Sequence, residues 1–382
     1  MSSARRLWLR GVFAAVTALA LLIPSVWPNT TPALAVTTKA LLNGGDVSWL
    51  PIVERDGSKF ATTAGKRADP LALMKSAGLS VARVRLWVNP TGKDSSLAQV
   101  LALAKRIKAA KLALVLDLHY SDWWADPANQ KVPANWENLS QAGLVEKVHD
   151  YTAETLAQFV DQGTPPAWVQ VGNEIGNGML WPNGSLSEWK QERFAALSDL
   201  LNSGVRAVRE TSPKSKIMFH LETGGDAAKT RGWFKNMFAA GLTRPDGIGL
   251  SYYSQWSGPI SNLEDTLRVV SGEFGLPVAV AETAYPNSSA TNPKPLLDPA
   301  RSRLQGFAFS ASGQAAYATK ISNVLRTVAG SRAIGVWWWE VFSPNRPAVS
   351  GVTGPWVIFF SSLTTPSGTA NKAMLALGSA SK

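Results

Sequence analysis

The chain has 382 residues, 45% of them hydrophobic and 17% charged, with no cysteine and three histidines. This composition excludes a disordered chain, a disulfide framework and a thiol nucleophile, and it leaves too few imidazoles for a histidine-rich metal centre. The net charge of +11 allows contact with acidic polymers or membrane surfaces, but no run of five Lys/Arg marks a nucleic-acid patch, so no nucleic-acid partner is expected.

The first segment reads as a targeting signal. Arg5, Arg6 and Arg10 precede an apolar run over Gly11–Trp27, and Ala33-Leu34-Ala35 supplies a small-residue cleavage site. Residues 1–35 are therefore expected to be a signal peptide, with Arg5-Arg6 resembling a twin-arginine signal, removed near Val36. The mature chain is expected to be exported, secreted or periplasmic, with no stable membrane association.

Eight apolar runs with strand chemistry follow: Leu41–Ser48, Val81–Val88, Leu112–His119, Trp168–Glu174, Lys216–Leu221, Gly247–Tyr253, Pro277–Glu282 and Ala333–Trp339. Helical spacing separates them over Pro70–Ala77, Leu97–Ala110, Leu139–Gln162, Leu186–Glu210, Ala227–Ala240, Ile260–Phe274 and Ser312–Val328, with a weaker helix at Asn371–Leu377. Near-continuous apolar strands alternating with helices predict parallel strands covered on both faces. Eight units predict an α/β fold, a single (β/α)8 TIM barrel over 36–382. An open doubly wound sheet is the rival, but no G-x-G-x-x-G follows the first strand. Three long strand-to-helix loops are predicted at Ile175–Ser187, Thr283–Ala311 and Ser343–Gly354.

In such a barrel the C-terminal strand ends carry the chemistry. Those ends read Asp46, Arg83 and Arg85, Asp117 and His119, Asn173 and Glu174, His220 and Glu222, Tyr253, Glu282, and Trp339 with Glu340. Two glutamates ending apolar strands suit glycoside hydrolysis, in which one carboxyl gives a proton and the other, ionised, attacks the anomeric carbon. Arg85 and Tyr253 are expected to keep Glu282 ionised, and Asn173 to bind a sugar 2-hydroxyl. His119 is expected to make an active-site hydrogen bond, and His149 to lie on a helix surface. Tryptophan, at 16 copies, is the compositional outlier and suits sugar stacking. The platform candidates are Trp87, Trp124, Trp181, Trp256 and Trp339. Their spread over several strand ends points to an open groove and endo attack.

Several stretches together carry a family resemblance: Gly45-Asp46-Val47-Ser48, Arg83-Val84-Arg85-Leu86-Trp87-Val88-Asn89-Pro90, His119-Tyr120-Ser121-Asp122-Trp123-Trp124-Ala125-Asp126-Pro127, Trp168 to Pro182, and Gly249-Leu250-Ser251-Tyr252-Tyr253. From about Gly44 to Val341 the chain resembles glycoside hydrolase family 53, the arabinogalactan endo-β-1,4-galactanases. The resemblance implies a retaining clan A enzyme, with Glu174 as acid/base and Glu282 as nucleophile. It implies cleavage of internal β-1,4-galactosidic bonds in type I arabinogalactan, the galactan side chains of pectin. Asp46, Arg85, Trp87, His119, Trp124, Asn173, Trp181, Glu222, Tyr253 and Trp339 are the expected substrate-binding residues. The sequence departs from the family at Glu222-Thr223, where Asp-Asn is usual, and at Ser254, where Pro is usual; Glu222 is expected to alter a subsite. The two long loops after strands seven and eight lack an oxygen-rich cage, so neither metal nor cofactor is expected. A monomer acting on a polysaccharide is expected. The alternatives are another clan A retaining endo-glycosidase of the β-mannanase or cellulase type, and a non-catalytic carbohydrate-binding protein.

Overall fold

The computed structural model describes residues 40–287, 306–342, 363–365 and 368–382. The expected signal segment and much of the two long loops at Thr283–Ala311 and Ser343–Gly354 lie outside the described residues, as does the absence of a metal cage predicted for those loops.

Eight strands close into a barrel in sequence order. They are β1 (Gly44–Asp46), β2 (Val81–Leu86), β3 (Ala113–Leu118), β4 (Trp168–Val171), β5 (Lys216–Leu221), β6 (Gly247–Ser251), β7 (Val278–Thr283) and β8 (Ala333–Trp338). Every neighbouring pair is parallel, and Gly44 opposite Trp337 closes the ring. Each strand is followed by a helix: α1 (Pro70–Ser76), α2 (Leu97–Ala109), α3 (Gln141–Asp161), α4 (Gln191–Thr211), α5 (Ala227–Ala239), α6 (Ile260–Leu267), α7 (Ala311–Ala329) and α8 (Lys372–Ser379).

Local chemistry sets the helix ends. Ser140 accepts from the Gly143 N–H and starts α3 two residues later than apolar spacing predicts. Asn371 accepts from Ala373 and Met374 N–H and gives the weak last helix a firm start. The expected helix Leu186–Glu210 begins only at Gln191, because Gly184–Ser185 pairs with Gly178–Met179 in a two-stranded ribbon. The segment predicted through Phe274 is α-helical to Leu267 and then widens into π-helical turns over Arg268–Glu273.

The barrel interior is layered. Its lower part is apolar: Val81, Val115, Trp168, Met218, Ala279, Ala281, Ile334 and Trp337 pack there. One pleat toward the C-terminal ends, the inward positions turn polar. Arg83, Asp117, Gln170 and His220 are wholly buried in that layer, and Ser251 nearly so. Inward positions recur every second residue along a strand. Leucines, isoleucines and phenylalanines on the outward faces build the larger core beneath the helices. Burial of each such side chain contributes on the order of 2 kcal/mol, and this core is the rigid support for the polar layer.

Candidate active site

Arg83 organises the polar layer. Its Nε donates to Gln170 Oε1 at 3.1 Å and its Nη2 to Asp117 Oδ2 at 2.9 Å and Asn173 Oδ1 at 2.8 Å. Its Nη1 lies 3.5 Å from Asp46 Oδ2 and 2.9 Å from Glu282 Oε1, the latter an ion pair without hydrogen-bond alignment. Gln170 Nε2 in turn meets Asp117 Oδ1 at 2.5 Å. Burial alone would raise the Asp117 carboxyl, but Arg83 and His119 together hold it below its ordinary range.

Glu174 follows β4 in a left-handed conformation, φ 48° and ψ 52°, which is strained for a residue with a Cβ. Gly172, with φ 84° and Ile175 crowding the place of a Cβ, makes the approach to that turn possible. Gln130 Nε2 donates to the Asn173 and Glu174 carbonyls. Past the turn, Glu222 Oε2 accepts from the Gly176 N–H at 2.9 Å. A Cβ at Gly176 would sit 2.4 Å from both Glu222 oxygens, so any side chain there would push the Glu222 carboxyl away. Lys229 Nζ on α5 bridges Glu222 Oε1 and Asn177 Oδ1, both at 2.9 Å.

The two glutamates take partners from one strand. Ser251 Oγ lies 2.6 Å from Glu174 Oε1, and the Tyr253 hydroxyl donates to Glu282 Oε2 at 3.0 Å. Ser251 and Tyr253 are two residues apart, the spacing that points both to one side of an extended chain. The carboxyls nevertheless differ electrostatically. Burial raises Glu174 well above the ordinary carboxylate range, and the negative charges of Glu282 and Glu222 push the same way. Burial, with the charges of Asp117 and Asp46, pushes Glu282 up to about 7, although Arg83 and the Tyr253 hydroxyl oppose the rise. Glu174 therefore holds its proton to the higher pH.

Arg83, not Arg85, is the cation at Glu282. Arg85 points into the barrel one pleat nearer its mouth, where indole faces capture it. Its guanidinium carbon lies 4.6, 5.2 and 4.3 Å from the rings of Trp49, Trp87 and Trp124, and Nη1 stands 4.0 Å from Asp46 Oδ1.

The other expected residues divide by what occupies their polar atoms. Asp46 is buried and accepts from the Ser48 N–H and hydroxyl. His119 Nε2 faces Asp117 Oδ2 at 3.0 Å, and its Nδ1 accepts from the Ala125 N–H at 3.1 Å. The hydrogen bond expected of His119 thus goes to Asp117 in the polar layer, while the other ring nitrogen holds the loop after β3. Asn173 Nδ2 donates to the Ala125 carbonyl at 2.8 Å. Glu222 is engaged with Gly176 and Lys229 and lies close enough to raise Glu174. His149, on α3, pairs with Glu210 and Asp150 near the surface, as expected.

The tryptophans also sort by exposure. Trp87 is buried beneath Trp123, Trp124 and Arg85, so it is no platform. Trp123, 45% exposed, lies above it with ring centroids 4.5 Å apart. Trp124 and Trp339 meet at 6.0 Å beside the site, Trp339 with little exposed area. Trp181, half-buried, donates Nε1 to the Asn177 carbonyl. Trp256 and Trp189 are open, at 51% and 44% exposure. Trp189 escaped attention because nothing in its sequence neighbourhood marks it.

Comparison with known proteins gives one consistent result. The model for "Glycosyl hydrolase family 53" matches residues 42–356. An arabinogalactan endo-β-1,4-galactanase of Thermothelomyces thermophilus is 35% identical over 309 residues, 78% of this chain and 88% of that protein. An endo-β-1,4-galactanase of Bacillus subtilis is 32% identical over 326 residues, 79% of this chain and 70% of the other. Among solved structures, the Ignisphaera aggregans GH53 catalytic domain superposes with a TM-score of 0.81 at 28% identity, covering 91% of this chain and 97% of that one.

Proposed function

Since the chain belongs to glycoside hydrolase family 53, we propose that it is an exported, retaining endo-β-1,4-galactanase acting on the galactan of type I arabinogalactan. The observation that carries this reading is the asymmetric pair: Glu282 is paired to the Arg83 cation at 2.9 Å, while among the described residues no cation pairs with Glu174, whose burial favours the protonated form. In the first step Glu282 attacks the anomeric carbon as the bond to the leaving oxygen breaks, and the Glu174 proton passes to that oxygen. In the second, Glu174, now a carboxylate, takes a proton from the water that attacks the same carbon, and Glu282 is released as a carboxylate. The Arg83 charge and the Tyr253 hydroxyl favour the ionised form of Glu282, the form that attacks, and stabilise it as the departing carboxylate.

Exposed Trp123 follows β3, and exposed Trp256, in the helical turn Ser254–Ser257, follows β6; the two strands are not neighbours in the barrel. Ring faces placed so far apart suit a chain running across the barrel mouth, hence internal cleavage. A panel of linear galactan, arabinogalactan, mannan, xylan and cellulose tests the substrate. Reducing ends should appear from galactan, as mixed oligosaccharides early in digestion; early galactose alone would refute endo attack. Glu174→Gln and Glu282→Gln should each lower kcat by orders of magnitude in folded protein, and near-normal activity in either would sink the assignment. The exported protein should begin near Val36 by mass spectrometry.

A further inference from the structure

We propose that His220 and Ser251 act as positioning residues that hold the proton on Glu174, through hydrogen bonds running one way: Glu174 O–H to Ser251 Oγ, Ser251 O–H to His220 Nε2, and His220 Nδ1–H to Asn173 Oδ1. The proposal rests on reading Glu174 as the acid.

The direction follows from the far end of the relay. Asn173 Nδ2 lies 2.8 Å from the Ala125 carbonyl, and its Oδ1 lies 2.8 Å from Arg83 Nη2. Arginine nitrogens only donate and a carbonyl only accepts, so the amide cannot be turned over. His220 Nδ1 stands 2.8 Å from that same Oδ1. The ring proton must be on Nδ1, because the other tautomer would set two lone pairs against each other in a buried site. Gln170 Nε2 also lies 3.1 Å from Nδ1, but its hydrogens have acceptors in Asp117 Oδ1 at 2.5 Å and Asn173 Oδ1 at 3.0 Å. Burial, reinforced by Arg83, keeps His220 well below the usual imidazole range, so the ring is neutral and Nε2 is an acceptor. Ser251 Oγ, 2.9 Å from Nε2, therefore donates there. A hydroxyl has one hydrogen. Its oxygen is left to accept, and the Glu174 oxygen 2.6 Å away must supply the proton.

The charged and titratable groups around Glu174 are Glu282 on β7, Glu222 on β5, Asp126 in the loop after β3 and Tyr253 after β6. Lys229 on α5 faces Glu222, and Arg83 on β2 faces Glu282. Ser251→Ala changes none of these charges, so its effect isolates the hydrogen bond.

The test is the pH dependence of kcat/KM on β-1,4-galactan. In Ser251→Ala the neutral acid loses its acceptor, and the alkaline limb should move to lower pH by about one unit, the worth of one hydrogen bond. If Ser251 instead donated to the carboxylate, the limb would move to higher pH; that result, or no shift, overturns the relay. A second readout needs neither a variant nor activity. Nitrogen-15 spectra of the protein's three histidines should show His220 protonated at Nδ1. His119, whose Nδ1 accepts from the Ala125 N–H, should show the proton at Nε2 and serve as the internal contrast. His220 protonated at Nε2 overturns the relay. An alkaline limb that survives in Glu174→Gln, followed with an activated aryl β-galactoside, would instead refute Glu174 as the acid.

Discussion

Replacing Arg83 by methionine should destabilise the protein in a way that grows with pH. The side chain is fully buried, and three carboxylates converge on it: Asp117 at 2.9 Å, Glu282 at 2.9 Å and Asp46 at 3.5 Å. Removing one partner of a buried ion pair costs about 3–5 kcal/mol, because the remaining charge is left without compensation. Asp117 is the group to follow. Burial opposes its ionisation, yet Arg83 and His119 hold its pKa below the unfolded value. A depressed carboxylate contributes stability that is present above the unfolded pKa and is lost as pH falls through the folded one. The wild-type protein enjoys that contribution from mildly acid pH upward; the variant does not, and its carboxylates become protonated or stay ionised at a cost. The difference between the two proteins should thus be about 4 kcal/mol at pH 8 and smaller at pH 4. For roughly 300 described residues at about 2.1 cal/mol/K each, that corresponds to a fall in Tm of about 6 °C. Urea unfolding followed by tryptophan fluorescence at both pH values measures it directly. Arg83→Lys, which keeps a charge but not the fork that reaches three acids, should fall between. Equal stability of Arg83→Met and wild type at pH 8 would refute the organising role of this cation.

Glu174→Gln should be more stable than wild type at pH 8 and no different at pH 4: the raised carboxyl stabilises the fold while protonated and loses that contribution as pH rises through its folded pKa. Thermal unfolding of both proteins at the two pH values checks the sign. Gly176→Ala should force the Glu222 carboxyl back by about 1 Å, since the new methyl would stand 2.4 Å from its oxygens; a cost of about 1–3 kcal/mol and a loss of up to about 100-fold in kcat/KM are expected. Trp123→Ala should raise KM for galactan about fivefold while leaving kcat alone, the effect of one lost stacking face. Steady-state kinetics on polymer and on short oligosaccharides would show the rise only where the chain reaches Trp123.

The fold was legible because barrel strands carry a periodicity that does not depend on details of packing. Val81–Val88 and Lys216–Leu221 read as strands since both faces are covered, and each lies within two residues of its observed bounds. The first strand is shorter than its apolar run, Gly44–Asp46 against Leu41–Ser48, because flanking residues are buried without being strand: Leu41 N–H, for one, donates to the Ser381 carbonyl past the last helix. The ribbon at Gly178–Ser185 was invisible. It arises from contacts between two glycine-containing segments and the helix behind them, where Leu197 and Leu200 crowd Gly184, and no local pattern encodes such a contact.

The site shows where such reading stops. Sequence position could say that Arg83 and Arg85 both face inward on β2, since they are two apart. It could not say which would meet Glu282. That choice was made by residues on other strands: Asp117, Gln170 and Asn173 draw Arg83 into the polar layer, while Trp49 and Trp124 close around Arg85. Ser251 stands in a recognisable motif, yet its place between the His220 ring and the Glu174 carboxyl depends on neighbouring β5 and on the turn after β4. The same holds for Glu222, whose carboxyl crosses from β5 to accept from the Gly176 N–H in the turn after β4, close against a residue without a side chain. A strand end marks a residue as functional in kind. The partner it finds across the barrel decides whether it binds sugar, carries the proton, or fixes the residue that does.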